Sequence, residues 1–214
     1  MRVDAVIFDL DGTLADTLSD IASAMNRVLS DLGLPTHLPD AYRAFIGEGV
    51  NALAERALPP DRVTLVPEAV ARFKERYGTH MLDETAPYPG IVEMLDALAA
   101  RSVRLAVLSN KPDEATRRMV DALFAARFAA VAGQREGVPR KPDPTAALDI
   151  ARRLAVPCER VALAGDSGVD MRTAVAAGMR AVGVLWGLRD RDELVANGAE
   201  ALAQHPMDLV SLFE

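Results

Sequence analysis

Five short apolar runs, separated by helical patterns, constrain this fold more than any other feature of the chain. Residues 3–10 are dense in β-branched and aromatic side chains, as a buried strand must be. Similar runs recur at 103–108 (VRLAVL), 128–132 (FAAVA), 161–164 (VALA) and 181–186 (AVGVLW). Between them, Pro89 and Gly90 open a stretch with Ile91, Met94, Leu95 and Leu98 at helical spacing. Further helical stretches are predicted at 113–126, behind Pro142 and Pro144, and at 167–177, where Gly178 can end the helix. Such alternation predicts an α/β fold, a mostly parallel sheet covered by helices on both faces. Ligand sites in such sheets lie beyond the carboxyl ends of the strands.

Residues 17–83 interrupt this rhythm. Leu18, Ile21, Ala22, Met25, Val28, Leu29 and Leu32 make one apolar helical stripe, stopped by Gly33. More helix is predicted near 39–45, 49–58 and 65–78, and no strand is evident. The expected organisation is a catalytic α/β core of residues 1–16 plus 84–214, with an inserted all-helical cap subdomain at 17–83. The crossings at 14–18 and 83–88 are the expected hinges.

The 214 residues carry 24 basic and 31 acidic side chains, a net charge of -7. That balance disfavours general binding to nucleic acid or membrane. No run approaches the roughly 18 apolar residues of a membrane span, and Asp4, Asp9 and Asp11 interrupt any signal-like stretch at the N-terminus. Cytoplasm is the expected location, as a monomer or homodimer. Cys158 is the only cysteine, so neither an intrachain disulfide nor a thiolate cluster can form. His37, His80 and His205 lack metal-ligand spacing and read as surface or capping residues.

The chemistry sits at the predicted strand ends. Asp9 and Asp11 close the first run, followed by Gly12 and Thr13. Hydrolysis of a phosphate monoester needs a nucleophile, a proton for the leaving group, and neutralisation of the phosphoryl oxygens. Asp9 is the expected nucleophile and Asp11 the acid and base. Gly12 would support the turn that aims them, and Thr13 would hydrogen-bond within it. Ser109 and Asn110 follow the second run and would hold phosphoryl oxygens. Lys141, aimed by Pro142, would neutralise both phosphate and nucleophile. Lys111 is the other possible cation, but SNKP reads more as a helix entry. Asp166 and Asp170 in GDSGVD stand one helical turn apart. With Asp9 and the Asp11 carbonyl, Asp166 is an expected Mg²⁺ ligand, while Asp170 would orient water or Lys141.

These segments, DLDGT at 9–13, SNK at 109–111, KPDP at 141–144 and GDSGVD at 165–170, resemble the four motifs of the haloacid dehalogenase-like hydrolase superfamily. DLDGTLADT and GDSGVDMRTAVAAGM look most like its phosphoglycolate phosphatase branch, and GEGVNALAERAL at 47–58 resembles that branch's cap segment. The resemblance implies a Rossmann-like sheet with a helical cap, Mg²⁺ as cofactor, and a small phosphorylated metabolite as substrate, with 2-phosphoglycolate first. Arg43 and the 47–49 loop, with Gly47 and Gly49, are the expected carboxylate binders. Pyrophosphatases, sugar phosphatases and hexose-phosphate mutases share much of this pattern. A phosphonate hydrolase would need a cap lysine for a Schiff base, and Lys74 is the only lysine there. A metal-free dehalogenase is disfavoured by Asp11 and Asp166. A phosphate-binding module without catalysis would not need all of these side chains.

Overall fold

The computed structural model describes residues 1–213. Its centre is a six-stranded sheet with every neighbouring pair parallel. Strands β1 (Ala5–Phe8), β4 (Arg104–Pro112), β5 (Ala130–Gln134), β6 (Val161–Gly165), β7 (Arg180–Val184) and β8 (Ala201–Ala203) are ordered β5-β4-β1-β6-β7-β8. Strand β1 is therefore central, paired with both β4 and β6. Side chains alternate between the faces of a strand. Val6 and Phe8 accordingly join one apolar cluster, and Ala5 and Ile7 join the other. Helices α5 (Ile91–Ala100), α6 (Asp113–Phe124) and α10 (Pro206–Leu212) cover the first face. Helices α7 (Thr145–Leu154), α8 (Gly168–Ala176) and α9 (Arg191–Ala196) cover the second.

All five predicted strands form, with shifted ends. β5 begins at Ala130, and Phe128 instead packs edge-to-face on Phe124 at 5.9 Å between ring centroids. β7 stops at Val184, leaving Trp186 in the following loop. β4 runs on to Pro112, so Lys111 is extended rather than the entry to a helix; α6 starts at Asp113. β8, α9 and α10 were not predicted. Gly178 follows α8 with φ +66°, as expected of a helix stop.

Between β1 and α5 lie α1 (Leu18–Asp31), α2 (Tyr42–Phe45), α3 (Val50–Ala57) and α4 (Val66–His80). The segment near 39–45 is a short 3₁₀ turn, Pro39–Ala41, followed by a single turn of α-helix. Pro39 fixes that start and leaves no room for a longer helix before Ile46 turns extended. Ile21, Met25 and Leu29 of the predicted stripe are buried with Phe73 and Tyr77 of α4. This cluster is continuous with one face of the sheet through Leu10 and Leu14. His37 is half-buried rather than superficial. Its ring lies between Tyr42 and Phe45, and Nε2 is 2.8 Å from the Ala57 carbonyl oxygen. His80 is exposed beside Asp83, and His205 precedes α10 in a capping box.

The two crossings pair with each other. β2 (Ala15–Asp16) and β3 (Ala86–Pro87) form an antiparallel ribbon, and the Tyr88 N–H donates to the Leu14 carbonyl at 3.2 Å. Asp20 fastens the ribbon to α1. Its buried carboxylate accepts from the Glu84 N–H at 3.1 Å, the Thr85 N–H at 2.9 Å and the Thr85 hydroxyl at 2.7 Å. Removing that acceptor leaves buried donors unpaired, which costs about 1–3 kcal/mol. Asp20→Ala should lower unfolding free energy by that amount in urea titration. A loss below about 0.5 kcal/mol would show that water replaces the carboxylate.

Candidate active site

Asp9 directly follows β1, and Asp166 and Asp170 follow β6, its neighbour. The chain turns sharply after Asp9: the Leu10 carbonyl accepts from the N–H groups of Thr13, Leu14 and Ala15. Gly12 makes this turn possible with φ +87°. Asp9, Asp166 and Asp170 each offer a carboxylate oxygen, and these three atoms lie within 4.8 Å of one another. All three residues are buried.

Each carboxylate is held differently. Asp166 Oδ1 accepts from the Thr13 hydroxyl at 2.9 Å, and Oδ2 from the Leu188 N–H at 2.8 Å. Gly12 and Gly187 press against it: a Cβ on Gly12 would stand 2.4 Å from Asp166 Oδ2, and one on Gly187 would stand 2.3 Å from Asp166 Cβ. Asp170 is the third residue of α8, where Ser167 donates to Oδ2 through its hydroxyl at 2.6 Å and its N–H at 3.2 Å. Asp170 Oδ1 takes Lys141 Nζ at 2.6 Å. Lys141 also donates to the Leu108 carbonyl at 3.0 Å. Its ammonium stands 2.9 Å from Asp9 Oδ1, close enough for charge attraction but outside hydrogen-bond geometry.

Lys141 is aimed by Asn110. The Asn110 amide accepts the Lys141 N–H at 2.9 Å, and its Nδ2 donates to the carbonyls of Lys141 and Gly47, both at 3.1 Å. The Asn110 side chain is thus engaged with the backbone of Lys141 and Gly47, and the residue also lines the cavity described below. The Thr13 hydroxyl donates to Asp166, and Gly12 packs against the same carboxylate. Ser109 is buried and lines the cavity described below, with its Oγ accepting the Lys111 N–H at 3.2 Å.

Asp11 turns the other way. Its Oδ1 takes Lys111 Nζ at 2.6 Å, and Lys111 is itself buried. The site therefore holds two cations, one for each aspartate of the first motif: Lys141 beside Asp9 and Lys111 on Asp11. A cavity of about 340 Å³ opens above them. Asp9, Asp11, Ser109 and Lys111 form its floor, and α1, α3 and α4 its roof through Ile21, Leu53, Phe73 and Tyr77. Gly47 and Gly49 line it, both with positive φ. Arg43 does not line it. Its guanidinium bonds Asp40 at 2.8 Å and the Gly187 carbonyl at 3.1 Å. Its short distance from Gly47 in sequence is undone by the turn of α2, which directs the side chain to the outer rim.

Comparison with known proteins follows the same lines. Residues 6–184 match the family model of the haloacid dehalogenase-like hydrolases. The chain belongs to that family. It is 34% identical over 215 residues to the phosphoglycolate phosphatase of Aquifex aeolicus, covering all of this chain and 97% of that one. It is 31% identical over 202 residues to the phosphoglycolate phosphatase of Chromobacterium violaceum, covering 92% of this chain and 91% of its relative. A crystal structure from Lactobacillus delbrueckii subsp. bulgaricus, named as a candidate phosphoglycolate phosphatase, superposes with a TM-score of 0.93. It is 30% identical, over 100% of this chain and 99% of that one.

Several residues of this hydrolase's site carried no signal in the sequence. Gly187 and Leu188 reach Asp166 from the loop after β7. Arg189 donates to the carbonyls of Arg43 and Ile46, and Arg140 to that of Glu48. With Asn110 on Gly47, four backbone carbonyls between 43 and 48 are held by side chains of the α/β core. Trp186, in the loop after β7, donates Nε1 to the Thr13 carbonyl at 2.9 Å.

The donor set fits a divalent cation. Three buried carboxylates lie within 4.8 Å of one another with a single ammonium beside two of them, Asp9 Oδ1 accepts no hydrogen bond among the described residues, and each Asp166 oxygen accepts only one. Hard oxygen donors of this kind suit Mg²⁺-like ions. Both Asp170 oxygens are already occupied, so Asp170 acts through Lys141 and Ser167. Among the described residues, no helix is long and apolar enough to cross a membrane.

The crowding has an electrostatic signature. Burial, opposed by Lys141 and reinforced by Asp170 and Asp166, pushes Asp9 up to about 8. Burial, reinforced by Asp170 and opposed by the Leu188 N–H and Thr13, pushes Asp166 up to about 6. For Lys141, burial lowers the pKa, but Asp170 and Asp9 outweigh it and the ammonium stays charged. An unfolded aspartate ionises near 3.8. Between that value and 6 to 8 the metal-free folded state binds more protons, so its stability falls as pH rises. In EDTA, the Tm should drop from about pH 5 to pH 8, and Asp9→Asn should flatten that slope and raise the Tm at pH 8. Parallel slopes for the two proteins would contradict the assignment of the excess proton to Asp9.

Proposed function

We propose that this hydrolase is a Mg²⁺-dependent phosphomonoester phosphatase that cleaves 2-phosphoglycolate to glycolate and phosphate through a phosphoryl group carried on Asp9. The single observation that carries the reading is the division of labour between two neighbouring aspartates. Asp9 faces the cation-fitting cluster and Lys141, while Asp11 is held apart by Lys111. Asp9 is thereby the carboxylate at the cation-fitting cluster, and Asp11 the one that stands outside it. The choice of substrate is supported by the names of the relatives from Aquifex aeolicus and Chromobacterium violaceum.

In the first step an Asp9 carboxylate oxygen attacks phosphorus and the ester P–O bond breaks. Asp11 gives its proton to the departing alkoxide, which leaves as the alcohol. In the second step water attacks the acyl phosphate, Asp11 takes a proton from that water, and the bond between phosphorus and the Asp9 oxygen breaks. Lys141 and the Ser109 hydroxyl balance charge on the phosphoryl oxygens. Mg²⁺, held by Asp9, Asp166 and the Asp11 carbonyl, would supply charge neutralisation for the phosphoryl group and the nucleophile. Asp170 keeps Lys141 aimed, and Asn110 fixes the backbone from which it projects.

Residues 17–83 act as the cap. Their apolar roof excludes bulk water from the acyl phosphate and leaves room only for a compact leaving group. We place the enzyme in the cytoplasm, where small phosphorylated metabolites are found. Turnover of 2-phosphoglycolate, pyrophosphate, hexose phosphates and nucleotides should be compared with Mg²⁺, with Ca²⁺ and in EDTA. Phosphoglycolate should lead by tenfold or more in kcat/KM, about 1.4 kcal/mol of transition-state preference. EDTA should abolish activity, Mg²⁺ should restore it, and Ca²⁺ should restore little. Another substrate ahead by tenfold would overturn the substrate, and full activity in EDTA would overturn the metal.

A further inference from the structure

Tyr77 of α4 is buried in the cavity wall, and its hydroxyl has no hydrogen-bond partner among the described residues. A buried donor left unsatisfied costs stability and calls for an explanation. The ring has little freedom to turn toward water. It stacks on Phe73 at 5.1 Å between centroids with 12° between planes, and Lys111 Nζ sits 4.8 Å from its own centroid. Lys111 in turn reaches Asp11 at 2.6 Å. Tyr77 in the roof and Lys111 and Asp11 in the floor therefore form one polar strip beside the apolar Ile21, Leu53 and Phe73. The leaving group must lie along this strip, because Asp11 is the group that would protonate it.

The geometry points to Tyr77 as the residue that selects the leaving group: its hydroxyl donates to a carboxylate on the departing alcohol, and Lys111 supplies the matching positive charge. This rests on the phosphatase reading above and names the residues that would read its substrate. An ammonium has three protons to donate, and Asp11 Oδ1 takes one of those on Lys111, so a second anion can be bound there. The apolar roof strengthens both contacts by keeping water away. A leaving group without a polar atom would leave the Tyr77 hydroxyl unsatisfied, which is how a site rejects an analogue lacking the group it was built to bind. Arg43 lies outside the cavity and cannot serve. Lys74 and Arg118 line the cavity but are exposed, and Arg118 donates to the Gly78 carbonyl at 2.9 Å.

The test compares 2-phosphoglycolate with ethyl phosphate, in which a methyl group replaces the carboxylate, in the wild type, Tyr77→Phe and Lys74→Met. The wild type should prefer phosphoglycolate in kcat/KM. Tyr77→Phe should reduce that preference by about tenfold or more, mainly through KM for phosphoglycolate, and Lys74→Met should leave the preference unchanged. The Tm of Tyr77→Phe should equal or exceed that of the wild type, since the deleted hydroxyl has no partner in the folded protein. A preference unchanged by Tyr77→Phe, or lost instead in Lys74→Met, would overturn the assignment while leaving the phosphatase reading intact. So would a Tm lowered by several degrees, which would mean that the hydroxyl is structural. A wild type that hydrolyses both esters equally well would also remove it. A wild type that hydrolyses neither ester would sink the phosphatase reading and this inference together.

Discussion

Three aspartates buried within 4.8 Å of one another repel, and the rest of the site can be understood as what holds them there. A lone buried carboxylate would take up a proton rather than stay charged. Here Lys141 offsets part of the repulsion from the inside, bonded to Asp170 and close to Asp9. Ser167 neutralises the far oxygen of Asp170, while Thr13 and the Leu188 N–H divide Asp166 between them. One ammonium and a few hydrogen bonds leave Asp9 raised, so the cluster is incomplete as protein alone. The missing positive charge is what a divalent cation brings, and Asp9 Oδ1 is buried with no hydrogen bond of its own.

This requirement extends outward through the fold. Parallel β1 and β6 bring Asp9 and Asp166 together only because β1 is central in the sheet. Asp166 can approach the Asp9 turn only because Gly12 and Gly187 lack a Cβ at the point of closest contact. The helices of residues 17–83 are tied to the same spot from two directions. Asp20 and the β2–β3 ribbon hold the crossings, and Arg140, Arg189 and Asn110 hold the 43–48 carbonyls. The 43–48 carbonyls accept from these three side chains, while Asp20 accepts from the Glu84 and Thr85 backbone.

Much of this was legible in the sequence. Apolar runs located five of the six sheet strands, three of them leading into Asp9, Ser109 and Asp166, and the motif spacing singled out Asp9, Asp11, Lys141, Asp166 and Asp170. What failed did so for identifiable reasons. Lys111 precedes Pro112 and an acidic helix start, so it read as a helix entry. The strand continues to pair with β5 as far as Pro112, opposite Gln134, and the Lys111 ammonium reaches Asp11, a contact one hundred residues away. Arg43 was placed by proximity in sequence to the glycine loop, but a single helical turn sends it to Gly187. Gly187, Arg189 and Arg140 act across the boundary between cap and core, and nothing local marks them. β8 is only three residues long, Ala201–Ala203 at the sheet edge, and is paired with Val182–Val184.

The central claim is that the charge pattern makes Asp9 the attacking group and leaves Asp11 to move the proton. It is tested most directly by rapid acid quench with ³²P-labelled substrate, followed by peptide mapping. Label on Asp9 itself, located by fragment-ion sequencing of the peptide that holds both Asp9 and Asp11, and absent in Asp9→Asn, is the predicted result. Label on Asp11 or on a histidine, or active turnover with no trapped label on the protein, would contradict it.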